Sequence, residues 1–358
     1  MAKEFDILQK VLVGETSEAS IKRTSDILRK QGANPTVTVE FISREEGVFC
    51  GIGEVKQLLT RNLPEAFRDD VWSLNDGDIF QKNEVLLRIS STYAIISQFI
   101  TAINGFISSS SGWATAAKEC VDASDGIPIV NFGASQAHPN VVGAMDYSSI
   151  QGGAKGCSSI VGADLSDLTP AGSMDESLVL LSGDIVEAAD ALVTNLKPEL
   201  PKVVSIGIVG DETEEAKKIV ENFPSIRGLK IETPPERGDN RFIIKEVRER
   251  LDQLGFANTQ LSISGDFNPE SISKIIDLEK EWQNENAKIS SAEEGNNQIP
   301  PNLNRRIVQV IGIDRYIACH KPISIYPHIK IIDGNPVAKR GQIPGLISSP
   351  RLLKVEFE

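Results

Sequence analysis

The sequence is poor in cysteine, and its few cysteines are scattered. There are four in 358 residues, far apart and without a Cys-x-x-Cys pair. Such spacing supplies neither the ligands of a zinc knuckle nor the bridges of a secreted disulfide scaffold. The N-terminus is charged where a signal peptide needs an apolar segment, and no apolar run approaches the roughly 18 to 20 residues of a membrane-spanning helix. We therefore expect a soluble cytoplasmic protein without a membrane span.

Basic residues are also in short supply. Lys and Arg number 37 against 50 Asp and Glu, which gives a formal net charge of -13 at pH 7. Binding to a nucleic-acid backbone gains much of its free energy from counterion release at a basic surface. Nucleic acid is therefore not an expected partner. With 40% hydrophobic residues, the chain has the composition of an ordinary globular protein.

Several catalytic patterns are missing as well. The sequence has no Ser-His-Asp order, no histidine pair with metal-binding spacing and no glycine-rich nucleotide loop with its lysine. A barrel enzyme with chemistry of those kinds therefore has no support in the residues. We predict no metal ligands from the protein itself.

The first 110 residues mix strand and helix patterns without a repeat. Residues 36–42 (TVTVEFI) and 84–90 (EVLLRIS) alternate in the manner of strands, and residues 54–63 are helix-like. Residues 91–107 carry apolar side chains at helical spacing, which predicts one buried helix. The combination is typical of an α+β domain.

From Ser110 onward a regular alternation begins. Six apolar, strand-like runs begin near residues 127, 155, 202, 227, 259 and 307, and helical patterns separate most of them. Strands that alternate with helices predict a parallel sheet, and this number of units favours an irregular, incomplete parallel β/α barrel. In such a barrel the active site lies at the carboxyl ends of the strands.

Two further segments complete the predicted organisation. Residues 282–304 are polar and lack an apolar period, which predicts a surface loop with a flexible polar insertion near 284–303. Asp333 and Gly334 predict the turn of a hairpin, after which the C-terminal tail returns to complete the N-terminal part. The expected domains are an α+β domain of residues 1–110 plus 325–358, and a barrel of residues 111–324.

Seven sequence blocks carry a resemblance to a known family. They are GVFCGIGEVKQLL, SSGWATAAK, NFGASQAHP, GSMDESL, LKIETP, SISGDFNPESI and DGNPVAKRG. In this order they resemble the archaeal-type nicotinate and quinolinate phosphoribosyltransferases. Each block is weakly specific alone, whereas the collinear set spans most of the chain.

The resemblance implies a fold, a reaction and an assembly. The fold is an N-terminal α/β domain beside an irregular β/α barrel, which agrees with the pattern of strands and helices. The reaction joins nicotinate to phosphoribosyl pyrophosphate, forms nicotinate mononucleotide and releases pyrophosphate, with magnesium accompanying the pyrophosphate in an active enzyme. The assembly is a homo-oligomer whose sites are completed by a neighbouring subunit, and the small-molecule partners are phosphoribosyl and pyridine compounds.

The resemblance also assigns roles to matching positions. The catalytic positions are Glu176, Lys230 and Glu232, the substrate contacts are Arg23, His138, Ser173 and Thr233, and the phosphate contacts are Ser264, Gly265, Gly312 and Arg315. Lys230 and Glu232 are two apart on a strand and so point to the same side. These two side chains either belong to a catalytic site or form a structural salt bridge inside or at the rim of the barrel. His138 precedes a proline and is better explained as a cap.

Several positions depart from the family pattern. Glu176 stands where the family has a phosphorylated histidine, so coupling to ATP hydrolysis through this position is not expected. The other departures are Ser20 for an aromatic residue, Ser135 and Gln136 for a basic pair, Gly207 and Ile208 for Asp-Thr, and Asp266 and Asp314 for phosphate-loop glycines. Two hypotheses follow. One is a nicotinate phosphoribosyltransferase-like protein with a partly degenerate site, and the alternative is a catalytically inactive homologue that binds, senses or assembles.

Overall fold

The computed structural model describes residues 4–233, 241–292 and 306–357. The α-helices are α1 Gln9–Leu12, α2 Ala19–Lys30, α3 Ile52–Asn62, α4 Glu65–Arg68, α5 Tyr93–Ile96, α6 Ile100–Ala123, α7 Val142–Gln151, α8 Ile160–Leu165, α9 Glu176–Ser182, α10 Ile185–Asn195, α11 Glu212–Asn222, α12 Arg241–Gln253 and α13 Pro269–Ala292. The strands are β1 Thr36–Ser43, β2 Gly47–Val48, β3 Val71–Ser73, β4 Ile79–Phe80, β5 Val85–Thr92, β6 Ile129–Asn131, β7 Gly156–Cys157, β8 Val203–Ile206, β9 Gly228–Thr233, β10 Gln260–Gly265, β11 Val310–Ile313, β12 Ile325–Ile332, β13 Asn335–Pro336 and β14 Leu353–Lys354.

An antiparallel sheet joins the two ends of the chain. Its strand order is β13-β12-β1-β5-β3-β14, so three strands from the N-terminal part lie between two strands of the tail on one side and a third on the other. The predicted hairpin is present, since Asp333 and Gly334 adopt positive φ angles of 46° and 78° between β12 and β13. One face of the sheet packs against α3 and α6 through a core that includes Phe41, Leu58 and Ile103.

A parallel sheet contains all six strands expected from the apolar runs. Its order is β7-β6-β11-β10-β9-β8. The first strand, β6, pairs with the last, β11, as in a closed β/α barrel, whereas no pairing joins β7 to β8 among the described residues. The ring is therefore closed everywhere except between β7 and β8. The prediction of an incomplete parallel β/α barrel is confirmed.

Helix α6 differs from the helix predicted for residues 91–107. Strand β5 continues to Thr92, the short helix α5 ends at Ile96, and α6 then begins at Ile100 and runs on to Ala123. The small residues that follow Ile107 keep the helical spacing, and Ala116, Ala117 and Cys120 enter the core of the barrel. One continuous helix therefore crosses the domain boundary that the sequence placed at residue 110.

Helix α13 corrects the loop predicted from Trp282. The helix continues to Ala292, because Trp282 follows Ile275 by two turns on the same face and is buried with it. Between Ile275 and Trp282, buried Glu279 accepts hydrogen bonds from the amides of Ile307 and Val308, at 3.0 and 2.8 Å, and so fixes the entry to β11. The remainder of the predicted insertion, residues 293–303, lies outside the described residues.

A buried acidic cluster links α3 to the barrel. Asp76 Oδ1 accepts hydrogen bonds from the amides of Gly51 and Ile52 at the start of α3, at 2.8 and 3.1 Å. Tyr147 of α7 donates to Asp76 Oδ2 at 3.1 Å. Glu54, one turn into α3, accepts from Ser110 Oγ at 3.3 Å. Burial raises the pKa of both carboxyls, and that of Glu54 reaches about 7.

Candidate active site

The centre of the candidate site is a lysine and a carboxylate on β9. Leu229 and Ile231 are buried beneath the outer helices, so the alternating residues Lys230 and Glu232 face the barrel interior. Lys230 Nζ lies 2.7 Å from Glu232 Oε1. On the neighbouring strand Ser264, in register with Glu232, donates to Glu232 Oε2 at 2.9 Å. Three of the predicted residues therefore form one bonded group.

Phe132 is a member of the site that was not predicted. It follows β6, and its ring centroid lies 4.7 Å from Lys230 Nζ, within the range of a cation–π contact. The same ring explains why position 312 is a glycine, because a Cβ there would lie only 2.5 Å from Phe132 Cδ2. The block NFGASQAHP marked this region, but nothing in it identified Phe132 as the partner of Lys230.

Two carboxylates stand at the ends of β10 and β11. Asp266 and Asp314 follow these strands, and the amide of Asp314 donates to the carbonyl of Gly265 at 3.1 Å, which ties the two loops together. Burial raises the pKa of Asp314 to about 6; Lys230 opposes the rise, whereas Glu232 and Asp266 add to it. The loops that were predicted to hold phosphate therefore present negative charge to one another.

The start of α9 is also close enough to Lys230 for the charge of the lysine to act on Asp175. Asp175 caps this helix by accepting from the amide of Ser177 at 3.0 Å. The hydrogen bonds from Ser177 lower the pKa of Asp175, and Lys230 lowers it further. Glu176 is the first residue of α9 and is exposed, while Ser173 accepts from Ser205 Oγ at 3.4 Å.

Other predicted residues lie apart from this group. His138 is exposed, and its Nδ1 accepts from the amide of Asn140 at 3.2 Å, so it caps the short 3-10 helix Pro139–Val141. Arg23 lies on α2, which packs against α5 in the N-terminal part. Arg315 is exposed beside Asp314, and its side chain has no ion pair among the residues that the structure describes. Thr233 ends β9.

A polar network under the loops after β6 and β7 was also missed. Asp146 is buried, and its Oδ1 accepts from Asn131 Nδ2 at 2.8 Å. Asp146 Oδ2 accepts from both the amide and the hydroxyl of Ser159. Asn131 Oδ1 in turn accepts from the amide of Gly133 at 3.1 Å. Because the network joins two loops at the barrel mouth, it fixes the backbone that carries Phe132.

A cavity of about 300 Å³ lies inside the barrel below Lys230. Interior positions of β/α barrels usually carry bulky branched side chains, whereas small residues such as glycine and serine occupy several of them here. The walls include Val130, Phe132, Val203, Lys230, Ser262 and Val310. The volume is at the lower end of the range for small-molecule pockets.

Two features are absent from the described part of the chain. In residues 4–233, 241–292 and 306–357 no helix is long and apolar enough to cross a membrane. Over the same part of the chain, no group of three or more His, Cys, Asp or Glu residues is arranged to hold a metal ion.

Comparison with known proteins points to one family. Residues 20–111 match the N-terminal domain of quinolinate phosphoribosyl transferases. Nicotinate phosphoribosyltransferase pncB2 of Mycobacterium tuberculosis is 25% identical over 232 residues, which are 63% of this chain and 49% of that protein. The chain therefore spans about half the length of this curated relative.

Solved structures agree over nearly the whole chain. Nicotinate-nucleotide pyrophosphorylase from Pyrococcus furiosus has a TM-score of 0.81 and 27% identity, with 96% of this chain and 82% of that one covered. Human nicotinic acid phosphoribosyltransferase shares the fold, with a TM-score of 0.62 and 14% identity over 92% of this chain and 77% of that one. The order of the seven sequence blocks, the matched N-terminal domain and the shared barrel lead to one conclusion: this chain is similar to the nicotinate and quinolinate phosphoribosyltransferases along most of its length.

Proposed function

We propose that the protein transfers a phosphoribosyl group to a pyridine carboxylate, with nicotinate as the acceptor. The observation that carries the proposal is the bonded group of Lys230, Glu232 and Ser264 at the carboxyl ends of adjacent barrel strands, above a cavity of about 300 Å³. A cation beside an aromatic ring suits a planar anionic acceptor. A carboxylate that is already held by a serine suits ribose hydroxyls.

The chemistry needs little from the protein beyond charge and position. The pyridine nitrogen lone pair attacks the anomeric carbon, the bond from that carbon to the pyrophosphate oxygen breaks, and pyrophosphate leaves with the electron pair. No proton has to move. Lys230 would bind the acceptor carboxylate, and Glu232, released from its ion pair, would stabilise the positive charge that develops on the ribose.

Magnesium does not fit a protein-held site here. Glu232 is occupied by Lys230 and Ser264, and the described residues contain no group of three metal-binding side chains. In this proposal magnesium enters with the pyrophosphate, whose charge it neutralises. The protein's own contribution is the positioning of the acceptor and the ribose.

A second candidate is a catalytically inactive homologue that binds, senses or assembles. The observation that favours it is the charge at the phosphate loops, where Asp266 and Asp314 lie near Glu232, and Lys230 is paired with Glu232. A pyrophosphate at these loops would meet carboxylates before cations. The two candidates therefore differ in whether phosphoribosyl pyrophosphate binds.

The proposed reaction predicts product from nicotinate and loss of product without Lys230. Nicotinate, quinolinate and phosphoribosyl pyrophosphate with magnesium are incubated with the unmodified protein and with the D266N/D314N variant, and nicotinate mononucleotide is measured by mass spectrometry. Adding Lys230→Met to whichever protein forms product is expected to lower its rate about 100-fold, because one charged contact to the acceptor is lost. Lys218→Met, an exposed lysine on α11, should leave the rate unchanged.

Lack of product from both proteins, together with undetectable binding of phosphoribosyl pyrophosphate by calorimetry, would reject the transferase proposal and favour the inactive homologue. Product from quinolinate with release of carbon dioxide, and none from nicotinate, would keep the reaction class but change the acceptor.

We also propose that the chain forms a homo-oligomer. Large apolar side chains are exposed on the segment between β7 and β8, with Ile160 72% and Leu181 85% exposed. Oligomers usually bury such side chains in closed, symmetric interfaces. Light scattering is expected to give a multiple of 38.9 kDa, and Leu181→Glu is expected to shift the protein towards the monomer. A constant monomer mass across a wide concentration range would remove the proposal.

A further inference from the structure

The interior of the barrel is less tightly filled than the layer between the barrel and its outer helices. On β10, Leu261 and Ile263 point towards those helices and are at most 1% exposed. Ser262 lies between them and points inwards, yet it is only half-buried, and so is Val310, its neighbour in register on β11. Inward side chains of a β/α barrel usually form a packed core. The cavity of about 300 Å³ below Lys230 is therefore space that these side chains leave open.

The cavity is larger than a single aromatic ring requires. An apolar cavity of about 150 Å³ holds one benzene molecule. A cavity of about 300 Å³ therefore has room for a fused pair of rings. Nicotinate has one ring and would leave much of this space unfilled.

Polar groups in the cavity wall already have hydrogen-bond partners within the protein. Ser262 Oγ donates to the carbonyl of Leu229 at 3.1 Å. Gln309 Oε1 accepts from the amide of Leu261 at 2.6 Å, and Gln309 Nε2 donates to the carbonyl of Arg306 at 2.8 Å. The apolar part of the wall includes Val130, Ala171, Val203 and Val310. A ligand here would gain affinity by burying apolar surface rather than by adding hydrogen bonds to the wall.

One end of the cavity carries a cation. Lys230 Nζ lies 2.7 Å from Glu232 Oε1 and 4.7 Å from the ring centroid of Phe132. An ammonium group has three donors, so it can hold Glu232 and a ligand carboxylate together. At the other end Gln260 and Arg227 are exposed, and Arg227 Nε donates to Gln260 Oε1 at 3.3 Å. A ligand with a carboxylate and an apolar body is therefore oriented with its carboxylate at Lys230.

We propose that the barrel cavity binds a fused two-ring aromatic carboxylate. The carboxylate contacts Lys230, and the rings lie among Val203, Ser262 and Val310. The inference rests on the proposed function in one respect, namely that Lys230 receives the carboxylate of the acceptor. It extends the class of ligand from single pyridine rings to larger aromatic carboxylates, because the space beyond the first ring is apolar and open.

Calorimetric titration without phosphoribosyl pyrophosphate tests this site directly. The probes are 2-naphthoate, its neutral analogue 2-naphthamide, and nicotinate. We expect 2-naphthoate to bind about tenfold or more tightly than nicotinate, because the second ring removes more apolar surface from water. The neutral amide should bind about tenfold more weakly than 2-naphthoate, as loss of one charge-assisted contact predicts.

Variants of the cavity wall locate the binding. Ser262→Leu should fill the cavity and weaken the binding of 2-naphthoate by about tenfold or more. Val310→Phe, on the neighbouring strand, should have the same effect and keeps the test decisive if one variant does not fold. Ser273→Leu adds the same leucine on the exposed side of α13 and should leave the affinity unchanged. Lys230→Met should abolish the preference for 2-naphthoate over 2-naphthamide.

Three outcomes would overturn the inference. The first is 2-naphthoate binding no more tightly than nicotinate. The second is binding of 2-naphthoate that is unchanged in both Ser262→Leu and Val310→Phe, which would place the ligand outside the barrel. The third is a preference for the carboxylate that persists in Lys230→Met.

Failure of this inference is distinguishable from failure of the proposed function. The titration contains no phosphoribosyl pyrophosphate and measures no product, so absence of transferase activity would leave its result unchanged. Product from nicotinate without binding of 2-naphthoate would keep the transferase and reject the two-ring site.

Discussion

Replacing Asp266 and Asp314 by asparagine is expected to strengthen the binding of phosphoribosyl pyrophosphate with magnesium by about 30-fold or more at neutral pH. The two carboxylates stand at the loops after β10 and β11, and Lys230, the cation among them, is paired with Glu232. One like-charge contact at about 4 Å costs roughly 1 to 4 kcal/mol, depending on the effective dielectric constant. Removing two such contacts therefore dominates any loss of hydrogen bonds.

The pH dependence of binding provides an internal check. The pKa of Asp314 is raised to about 6, mainly by burial, so its carboxylate is charged at pH 7.5 and largely neutral at pH 5. Affinity of the unmodified protein should therefore rise as the pH falls through 6. The variant should show only the smaller change that comes from protonation of the ligand itself.

The control variant is D190N/D277N, which removes two exposed carboxylates from the outer helices α10 and α13. It removes the same two negative charges but leaves the loops intact, and its affinity should match that of the unmodified protein. Isothermal titration calorimetry measures all three proteins. Micromolar binding by the unmodified protein, or an equal gain in the control, would show that Asp266 and Asp314 do not repel the ligand.

Glu54→Gln is expected to stabilise the protein by about 2 to 3 kcal/mol at pH 8 and to have little effect at pH 4. Burial raises the pKa of Glu54 from 4.5 to about 7; the hydrogen bond from Ser110 opposes the rise, and Asp76 adds to it. Above pH 7 the folded protein must hold this charge in an apolar setting. A glutamine occupies the same space, accepts from Ser110 and carries no charge.

The sign follows from linkage. Because the folded pKa lies above the unfolded value, the stability contributed by protonated Glu54 is fully present below pH 4.5 and is lost as the pH rises through 7. Both proteins are unfolded with urea at pH 4, 6 and 8. The difference between their free energies of unfolding should therefore increase with pH. Glu65→Gln, an exposed residue on α4, is the control. A difference in unfolding free energy that stays constant from pH 4 to pH 8 would mean that Glu54 is not held protonated.

The sequence was a reliable guide where the side-chain period was unambiguous. Alternation around Lys230 and Glu232 predicted that both face one side, and the barrel places them in one ion pair. It was a poor guide where several outcomes share one pattern. Small residues after Ile107 are compatible with a loop or a packed helix, and only contact with the barrel core decides for α6.

Contacts that the barrel makes between residues distant in the sequence could not be predicted from the sequence. Phe132 follows β6, whereas Lys230 lies on β9, with two strands between β6 and β9 in the sheet, and no local pattern links them. Asn131, Asp146 and Ser159 are likewise joined only by the approach of two loops. Residue types predicted which chemistry is available, whereas the register of the parallel strands determines which groups meet.

The pairing of β1 with β12 has a consequence for the order in which the protein folds during synthesis. Ser43 pairs with Ile325, so one edge of β1 has no partner until almost the whole chain has left the ribosome. At about 5 to 20 residues per second, this edge waits on the order of 15 to 60 s. An unpaired strand edge can pair with other chains. We therefore expect the nascent protein to depend on chaperones until its tail emerges.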